Sequence, residues 1–133
     1  MKEDILFEIE INDIICRPKK NNMKPIKRGN RTYLVQNERY QLFSDLFDLE
    51  IIKQKDRIPK EPISQKCNVQ MIITRGDKRK TDLVNNENAI LDKLVDNKIL
   101  EDDNYTIVTS MDGSTMKYEK DVNKIYIKIT RKK

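Results

Sequence analysis

The chain has 133 residues, which is the length of a single domain. Charged and hydrophobic residues each make up 37% of it, so a compact interior must lie under a densely charged surface. The absence of histidine excludes histidine-ligated zinc sites, histidine general bases and Ser-His-Asp triads. No apolar run approaches the ~20 residues that span a bilayer, and the charged first residues are unlike a signal peptide. We therefore expect a cytoplasmic protein that has no membrane partner.

Hydrophobic periodicity predicts two strands and a helix in the first half of the chain. Alternating apolar residues over 5–11 indicate a strand, and residues 17–31 are a polar, basic loop interrupted by proline and glycine. A short strand over 32–36 leads into a helix over about 37–55, whose apolar residues recur every three or four positions. The buried stripe of this helix is predicted to contain Tyr40, Phe43, Phe47 and Ile51.

The second half is predicted to contain three strands, one helix and one hairpin turn. Their ranges are 69–74, 104–110 and 122–130 for the strands, 82–97 for the helix and 112–113 for the turn. Thr81 or Asp82 suits the N-cap of the helix, and Asn97 suits its end. The order of elements predicts a single α+β domain over residues 1–133, a mixed β-sheet with two main helices packed on it.

The two cysteines, Cys16 and Cys67, are too few for a four-thiolate zinc site, and a disulfide is not expected in the cytosol. We expect both thiols to be buried as small hydrophobic groups. The side chains left for chemistry are carboxylates, lysine, arginine, tyrosine and amides. Oxygen ligands of this kind favour Mg²⁺, or else Mn²⁺.

Positive charge is concentrated in a few segments of the chain, whose net charge is only +5. The segment 17–31 has no acidic residue, and its basic residues are Arg17, Lys19, Lys20, Lys24, Lys27, Arg28 and Arg31. A second cluster comprises Lys78, Arg79 and Lys80. Basic segments of this kind can hold the phosphates of a nucleic acid, although a solvated loop is an equally good interpretation of any one run.

One face of the second helix carries the candidate metal ligands. On a helical wheel this polar face contains Asp82, Asn85, Asn88, Asp92 and Asp96. Asp102 and Asp103 follow after a short loop. If the loop returns beside the start of the helix, Asp82 and Asp103 share a divalent metal suited to phosphodiester hydrolysis. Each acid also has a simpler interpretation, since Asp82 suits an N-cap and Asp102-Asp103 a turn.

Three runs within residues 72–108 are informative together: Lys80-Thr81-Asp82-Leu83-Val84-Asn85, Ala89-Ile90-Leu91-Asp92-Lys93-Leu94 and Glu101-Asp102-Asp103-Asn104. Through these runs the segment resembles the RusA-type Holliday junction resolvases. The separation of Asp82 from Asp103 is that of the family's first and last acids, and the basic segment 17–31 is similar to a loop that some members use.

The resemblance implies a Mg²⁺-dependent endonuclease that cuts four-way DNA junctions in recombination and repair, as a homodimer without a small-molecule cofactor. Asp82 and Asp103 carry over as metal ligands, and Asp102 as a further ligand or as the residue that orients the water. The supporting residues are Asn85, Asn88 and Asp92. The basic residues of segments 17–31 and 78–80 would contact the DNA backbone.

Two positions depart from the family's pattern. Val84 stands where the family has its second acid, and Asn88 stands where it has a lysine. The alternative interpretation is therefore a RusA-like DNA-binding protein without nuclease activity. A protein-interaction module with no nucleic-acid role is a third hypothesis, which the high charge permits. Tyr33, beside the basic segment, and Tyr40 are among the aromatic residues that could stack on bases.

Overall fold

The computed structural model describes residues 4–18, 23–36 and 38–132. Within them the chain forms β1 (Ile5–Asn12), β2 (Met23–Arg28), β3 (Arg31–Gln36), α1 (Glu38–Lys53), a 3₁₀ turn (Lys55–Arg57), β4 (Cys67–Arg75), α2 (Leu83–Asp96), β5 (Val108–Ser110), β6 (Thr115–Tyr118) and β7 (Lys124–Arg131). This is the single-domain α+β fold that the order of elements predicts.

The main sheet has the order β1-β7-β4, and β5 and β6 both pair along the other edge of β4. β7 is antiparallel to both of its neighbours, whereas β5 and β6 run parallel to β4. In register, Ile127 of β7 faces Ile9 of β1 and Met71 of β4, and all three side chains are buried. Because side chains alternate along a strand, the buried residues of these three strands share one face of the sheet.

Both helices bury their apolar residues in the core that covers this face. The buried residues of α1 are the predicted Tyr40, Phe43, Phe47 and Ile51. The buried apolar residues of α2 are Ala89, Ile90, Leu91 and Leu94. They form one hydrophobic cluster with the inward residues of the strands, and burial of this surface is the main free energy that holds the helices to the sheet. Among the described residues, no helix is both long and apolar enough to cross a membrane.

Both cysteines belong to the same core, which confirms their predicted burial. Burial raises the pKa of the Cys16 thiol to about 12 and that of the Cys67 thiol to about 11. Both groups therefore remain protonated at neutral pH and act as small hydrophobic side chains.

The sequence predicts a loop over the basic segment 17–31, but part of this segment is a strand. Met23–Arg28 forms β2, which pairs antiparallel with β3 as a separate two-stranded sheet. Gly29 makes the turn between them at φ +63°, a backbone conformation that glycine adopts without steric cost. The segment is polar because the hairpin is exposed. An exposed loop has the same polar composition, so composition alone does not distinguish the two.

Two predictions near the end of the chain are also wrong. The strand predicted over 104–110 is confined to Val108–Ser110, because the Asn104 side chain and carbonyl accept the N–H groups of Thr106 and Ile107, both at 3.0 Å, and form a turn. The turn at 112–113 does not close a hairpin, since β5 and β6 each pair with β4 and not with one another.

Candidate nucleic-acid interface

The chain turns sharply at Gly76, directly after the last residue of β4. A Cβ atom here would lie 2.9 Å from the backbone nitrogen of Val122, so the close approach of the two segments requires glycine. The Gly76 N–H also donates to Oδ1 of Asn123 at 2.8 Å. These contacts hold the start of the loop 76–82 against the turn that precedes β7.

Arg75 anchors this loop from inside the protein. Its side chain is 4% exposed, Nη1 donates to the Cys16 carbonyl at 3.2 Å, and Nη2 lies 3.3 Å from Oδ2 of Asp77. Its Nε is buried and has no hydrogen-bond partner within the described residues. Asp77 accepts the N–H of Arg79 at 3.0 Å, and this bond, together with the charge of Arg75, lowers the pKa of Asp77. The loop is thereby held with residues 78–80 exposed.

Two adjoining clefts open around this loop. One has a volume of about 500 Å³ and is lined by five cationic residues, one carboxylate and several uncharged side chains. The other, of about 360 Å³, is lined by five cationic residues and no carboxylate. The residues common to both are Arg75, Arg79, Lys80 and Thr81. We term the combined surface the basic cleft, and its cationic residues are Arg17, Arg39, Arg75, Lys78, Arg79, Lys80 and Lys117.

Like charges crowd one another in the basic cleft. The pKa of Arg17 is lowered, first by its partial burial and then by the charges of Arg75, Arg39 and Arg79. Of the described residues that line the cleft, Asp77 alone carries a carboxylate, and this group is already paired with Arg75. Because an anion relieves repulsion between neighbouring cations, the surface favours the binding of anionic groups.

Asp82 caps α2 next to the basic cleft, as predicted. Its Oδ1 accepts the N–H of Val84 at 3.0 Å, and its Oδ2 accepts from the Asn85 amide at 3.4 Å. The carboxylate is exposed, so the cap leaves it accessible to solvent. Two of the predicted site residues, Asp82 and Asn85, are thus in contact, while Asn88 lies exposed one turn further along the helix.

Asn86 holds this end of α2 in place, although sequence reasoning did not single it out. Its side chain is fully buried and donates to Thr81 Oγ1 at 2.8 Å and to the Asp82 carbonyl at 2.7 Å. The Cys16 thiol donates to the Asn86 carbonyl at 3.7 Å. The signal available in the sequence was its spacing, since Asn86 lies three residues after Leu83 and four before Ile90, on the apolar face of the predicted helix.

Asp103 lies in a loop that is fixed at the amino-terminal end of β4. The N–H of Glu101 donates to the Ile63 carbonyl at 3.0 Å, and the N–H of Cys67 donates to the Ile107 carbonyl at 2.8 Å. Asp103 stands between these two anchors, and its side chain is exposed. The loop therefore runs beside the residues that lead into β4 and does not return along α2.

Asp102 shapes this loop through its carboxylate. Oδ1 accepts the N–H of Asp103 at 2.7 Å, and Oδ2 accepts from the Asn104 amide at 2.9 Å. These hydrogen bonds lower the pKa of Asp102, with the Asp103 N–H as the largest cause. These bonds fit the turn interpretation of Asp102, and they leave the Asp103 carboxylate exposed.

A single chain places Asp82 and Asp103 at opposite ends of α2. The helix has 14 residues, which corresponds to a length of about 21 Å. Two carboxylates that share Mg²⁺ must each approach it to about 2.0–2.1 Å, so these two acids of one chain do not fit a common ion. Among the described residues, no group of three His, Cys, Asp or Glu side chains could hold a metal. Asp92, on the same helix, is half-buried.

The predicted DNA-binding residues fall into three groups. Arg17, Lys78, Arg79 and Lys80 belong to the basic cleft. Exposed side chains on the hairpin of β2 and β3 are Lys27, Arg28 and Arg31. Lys19 and Lys20 lie outside the described residues, and of Lys24 only the backbone is described, within β2. Sequence reasoning missed Arg39, Arg75 and Lys117, because each stands in a helix or strand outside any basic run.

The structure describes one of the two tyrosine side chains that were named for base stacking. Tyr40 is 4% exposed and packs against Phe43 with 5.9 Å between ring centroids, so it belongs to the core. Tyr33 lies in β3, and its side chain is outside the described part of the structure. Tyr118, which the sequence analysis did not name, lines the basic cleft.

Comparison with known proteins gives no family for this chain. No family model matches it, and no curated protein matches it.

Proposed function

We propose that this protein binds branched DNA through the basic cleft and cuts it as a metal-dependent endonuclease of the RusA type. The observation that supports DNA binding is the convergence of cations from separate elements on one concave surface with a single carboxylate. Such a surface neutralises closely spaced backbone phosphates and releases their counterions. The exposed cations of the β2–β3 hairpin would extend the contact along the DNA. A protein with this activity on DNA would act in the cytoplasm.

The cutting activity that we propose requires two copies of the chain, because one copy holds Asp82 and Asp103 at opposite ends of α2. A two-fold axis that passes perpendicular to α2 near its middle would bring Asp82 of one copy close to Asp103 of the partner subunit. The same axis would form a second, identical pair from the other two acids. Carboxylate oxygens from both copies are the ligand type that Mg²⁺ or Mn²⁺ takes. Two such acid pairs match the two cuts that resolution of a four-way junction requires.

A DNA-binding protein without nuclease activity is the second candidate. Val84 is 60% exposed beside the Asp82 cap, at the position of the resembled family's second acid. Asn88, at the position of that family's lysine, is also exposed. Val84 offers no ligand to a metal, and Asn88 offers no positive charge to a phosphate.

The first experiment measures binding and cleavage of a synthetic four-way junction. We expect binding that weakens steeply as the salt concentration is raised. Symmetric cuts that need Mg²⁺ or Mn²⁺, cease in EDTA and are lost in Asp103→Asn would establish the nuclease. Tight, salt-sensitive binding without cuts would select the second candidate, and no junction binding at low salt would overturn both.

A mixture of two inactive variants tests whether the acids act across two copies. Asp82→Asn and Asp103→Asn are each expected to be inactive alone. If the two are unfolded and refolded together, a heterodimer has one acid pair in which both aspartates are replaced and one pair in which both are intact. Nicking by the mixture supports the shared pairs. A mixture as inactive as either variant means that Asp82 and Asp103 do not pair across the interface.

A further inference from the structure

Tyr118 presents an aromatic ring at the edge of the basic cleft. It is the last residue of β6, it stands opposite Arg75 of β4 in register, and it is 47% exposed. The Nζ atom of Lys78 lies 5.1 Å from the ring centroid, over one face of the ring. This cation–π contact restrains the ring on the wall of the cleft without burying it.

The surroundings of Tyr118 combine apolar and cationic groups. Leu83 and Met116 line the same cleft of about 500 Å³, together with Lys80 and Lys117. This volume lies within the range of about 300–1,000 Å³ that is usual for small-molecule sites. Proteins that bind single-stranded nucleic acid use the same combination, in which bases stack on aromatic rings and cations follow the backbone. The cleft therefore offers contacts for a base and for the phosphates on either side of it.

We propose that Tyr118 stacks on an unpaired base of a DNA strand held in the basic cleft, with Lys78 on the opposite face of the ring. The inference rests on the proposed DNA binding and specifies which part of the DNA the cleft takes: a segment whose bases are free, as at a branch point. Because every base has an aromatic face, this contact confers selectivity for unpaired bases and not for a sequence.

The chain has no tryptophan, so one introduced at this position reports on the site alone. In Tyr118→Trp, we expect an oligothymidylate to quench the tryptophan fluorescence as it binds. Ile5→Trp is the matched control, because Ile5 is 46% exposed, close to the 47% of Tyr118, and begins β1 at the edge of the main sheet opposite to β6. Its fluorescence is expected to stay constant. A strand that binds without quenching the tryptophan at position 118 overturns the inference.

Two further ligands separate stacking from phosphate contacts. An abasic strand of equal length has the same charge and is expected to bind without quenching, whereas quenching by this strand would overturn the role of the base. Thymidine monophosphate at the same concentration is expected to leave the fluorescence unchanged. Equal quenching by this mononucleotide would assign the site to free nucleotides and overturn its assignment to a DNA strand.

Affinity measurements on two substitutions complete the test. Tyr118→Leu removes the ring but keeps an apolar side chain, and we expect it to weaken oligothymidylate binding about fivefold or more. Tyr118→Phe keeps the ring and is expected to bind like the wild type. Equal affinities of these two variants for the single strand would overturn stacking and leave DNA binding by the cleft intact. A wild-type protein that binds neither strand nor junction would instead overturn the proposed function.

Discussion

Lys93 of α2 and Asp48 of α1 form an ion pair of 2.7 Å where the two helices meet. The Lys93 side chain is 5% exposed and also donates to Oγ of Ser44 at 2.8 Å, whereas the Asp48 side chain is 43% exposed. The Asn97 amide donates to the same oxygen of Asp48 at 2.9 Å. The pair is therefore asymmetric, because the cation depends on protein partners for solvation while the carboxylate keeps access to water.

This asymmetry predicts that loss of the carboxylate costs more stability than loss of the lysine. Asp48→Ala leaves a buried ammonium with Ser44 as its remaining partner, and we expect the free energy of unfolding to fall by roughly 2–3 kcal/mol. Lys93→Met removes the buried charge and keeps apolar packing, so we expect a change below about 1 kcal/mol. Urea unfolding of both variants measures the difference, and a greater loss in Lys93→Met would contradict the argument.

The salt dependence of DNA binding should identify the surface that contacts phosphates. Removal of one phosphate contact by Lys80→Ala is expected to weaken binding and to reduce the slope of log affinity against log salt by about one. Lys55→Ala is the matched control, because it removes one exposed positive charge from the 3₁₀ turn after α1, which does not line the basic cleft. Fluorescence anisotropy at several salt concentrations measures both slopes. Equal reductions in the two variants would show that the cleft has no particular role.

Acid is expected to weaken the fold in part through Asp77. The N–H of Arg79 and the charge of Arg75 lower the pKa of this carboxyl from 3.8. Because the folded-state pKa is below the unfolded value, the stabilisation is complete above the unfolded value and is lost as the pH falls through the folded one. The free energy of unfolding should therefore decrease more in the wild type than in Asp77→Asn between about pH 6 and pH 3.

The control for this measurement is Asp56→Asn, which removes an exposed carboxylate from the 3₁₀ turn. This variant keeps the bonds of Asp77 to Arg79 and Arg75, so its difference from Asp77→Asn reports on those bonds. If the free energy of unfolding falls equally with pH in the wild type and in Asp77→Asn, the bonds of Asp77 to Arg79 and Arg75 do not contribute to stability.

Gly76→Ala is expected to disturb the loop that carries the basic cleft. The added methyl group would lie 2.9 Å from the Val122 nitrogen, and displacement of this contact should cost roughly 1–3 kcal/mol of unfolding free energy and weaken junction binding. Gly29→Ala is the comparison, since its Cβ would meet no atom within 4 Å and only the φ of +63° opposes it. Junction affinity that stays unchanged in Gly76→Ala would show that the loop tolerates the shift.

The types of the main elements follow from the sequence alone. Apolar residues at Tyr40, Phe43, Phe47 and Ile51 recur with the helical period, and those at Ile125, Ile127 and Ile129 alternate as in a strand. An element that buries one face must repeat its apolar residues with its own geometric period, so these patterns have one structural solution each. The N-cap role of Asp82 is equally local, because the groups that it bonds lie within the first turn of the helix.

The candidate functional surface was decided by tertiary structure. Arg39, Arg75 and Lys117 come from a helix and two strands, and they meet Arg17 and the loop 76–82 only because β4 ends between these elements. The distance in space between Asp82 and Asp103 could likewise not be predicted from the sequence. Their spacing along the chain does not determine the direction in which the loop after α2 runs. Hydrogen bonds of the segment 100–107 with Ile63 and Cys67 fix that direction, and Asp103 then lies beyond the end of α2 opposite to Asp82.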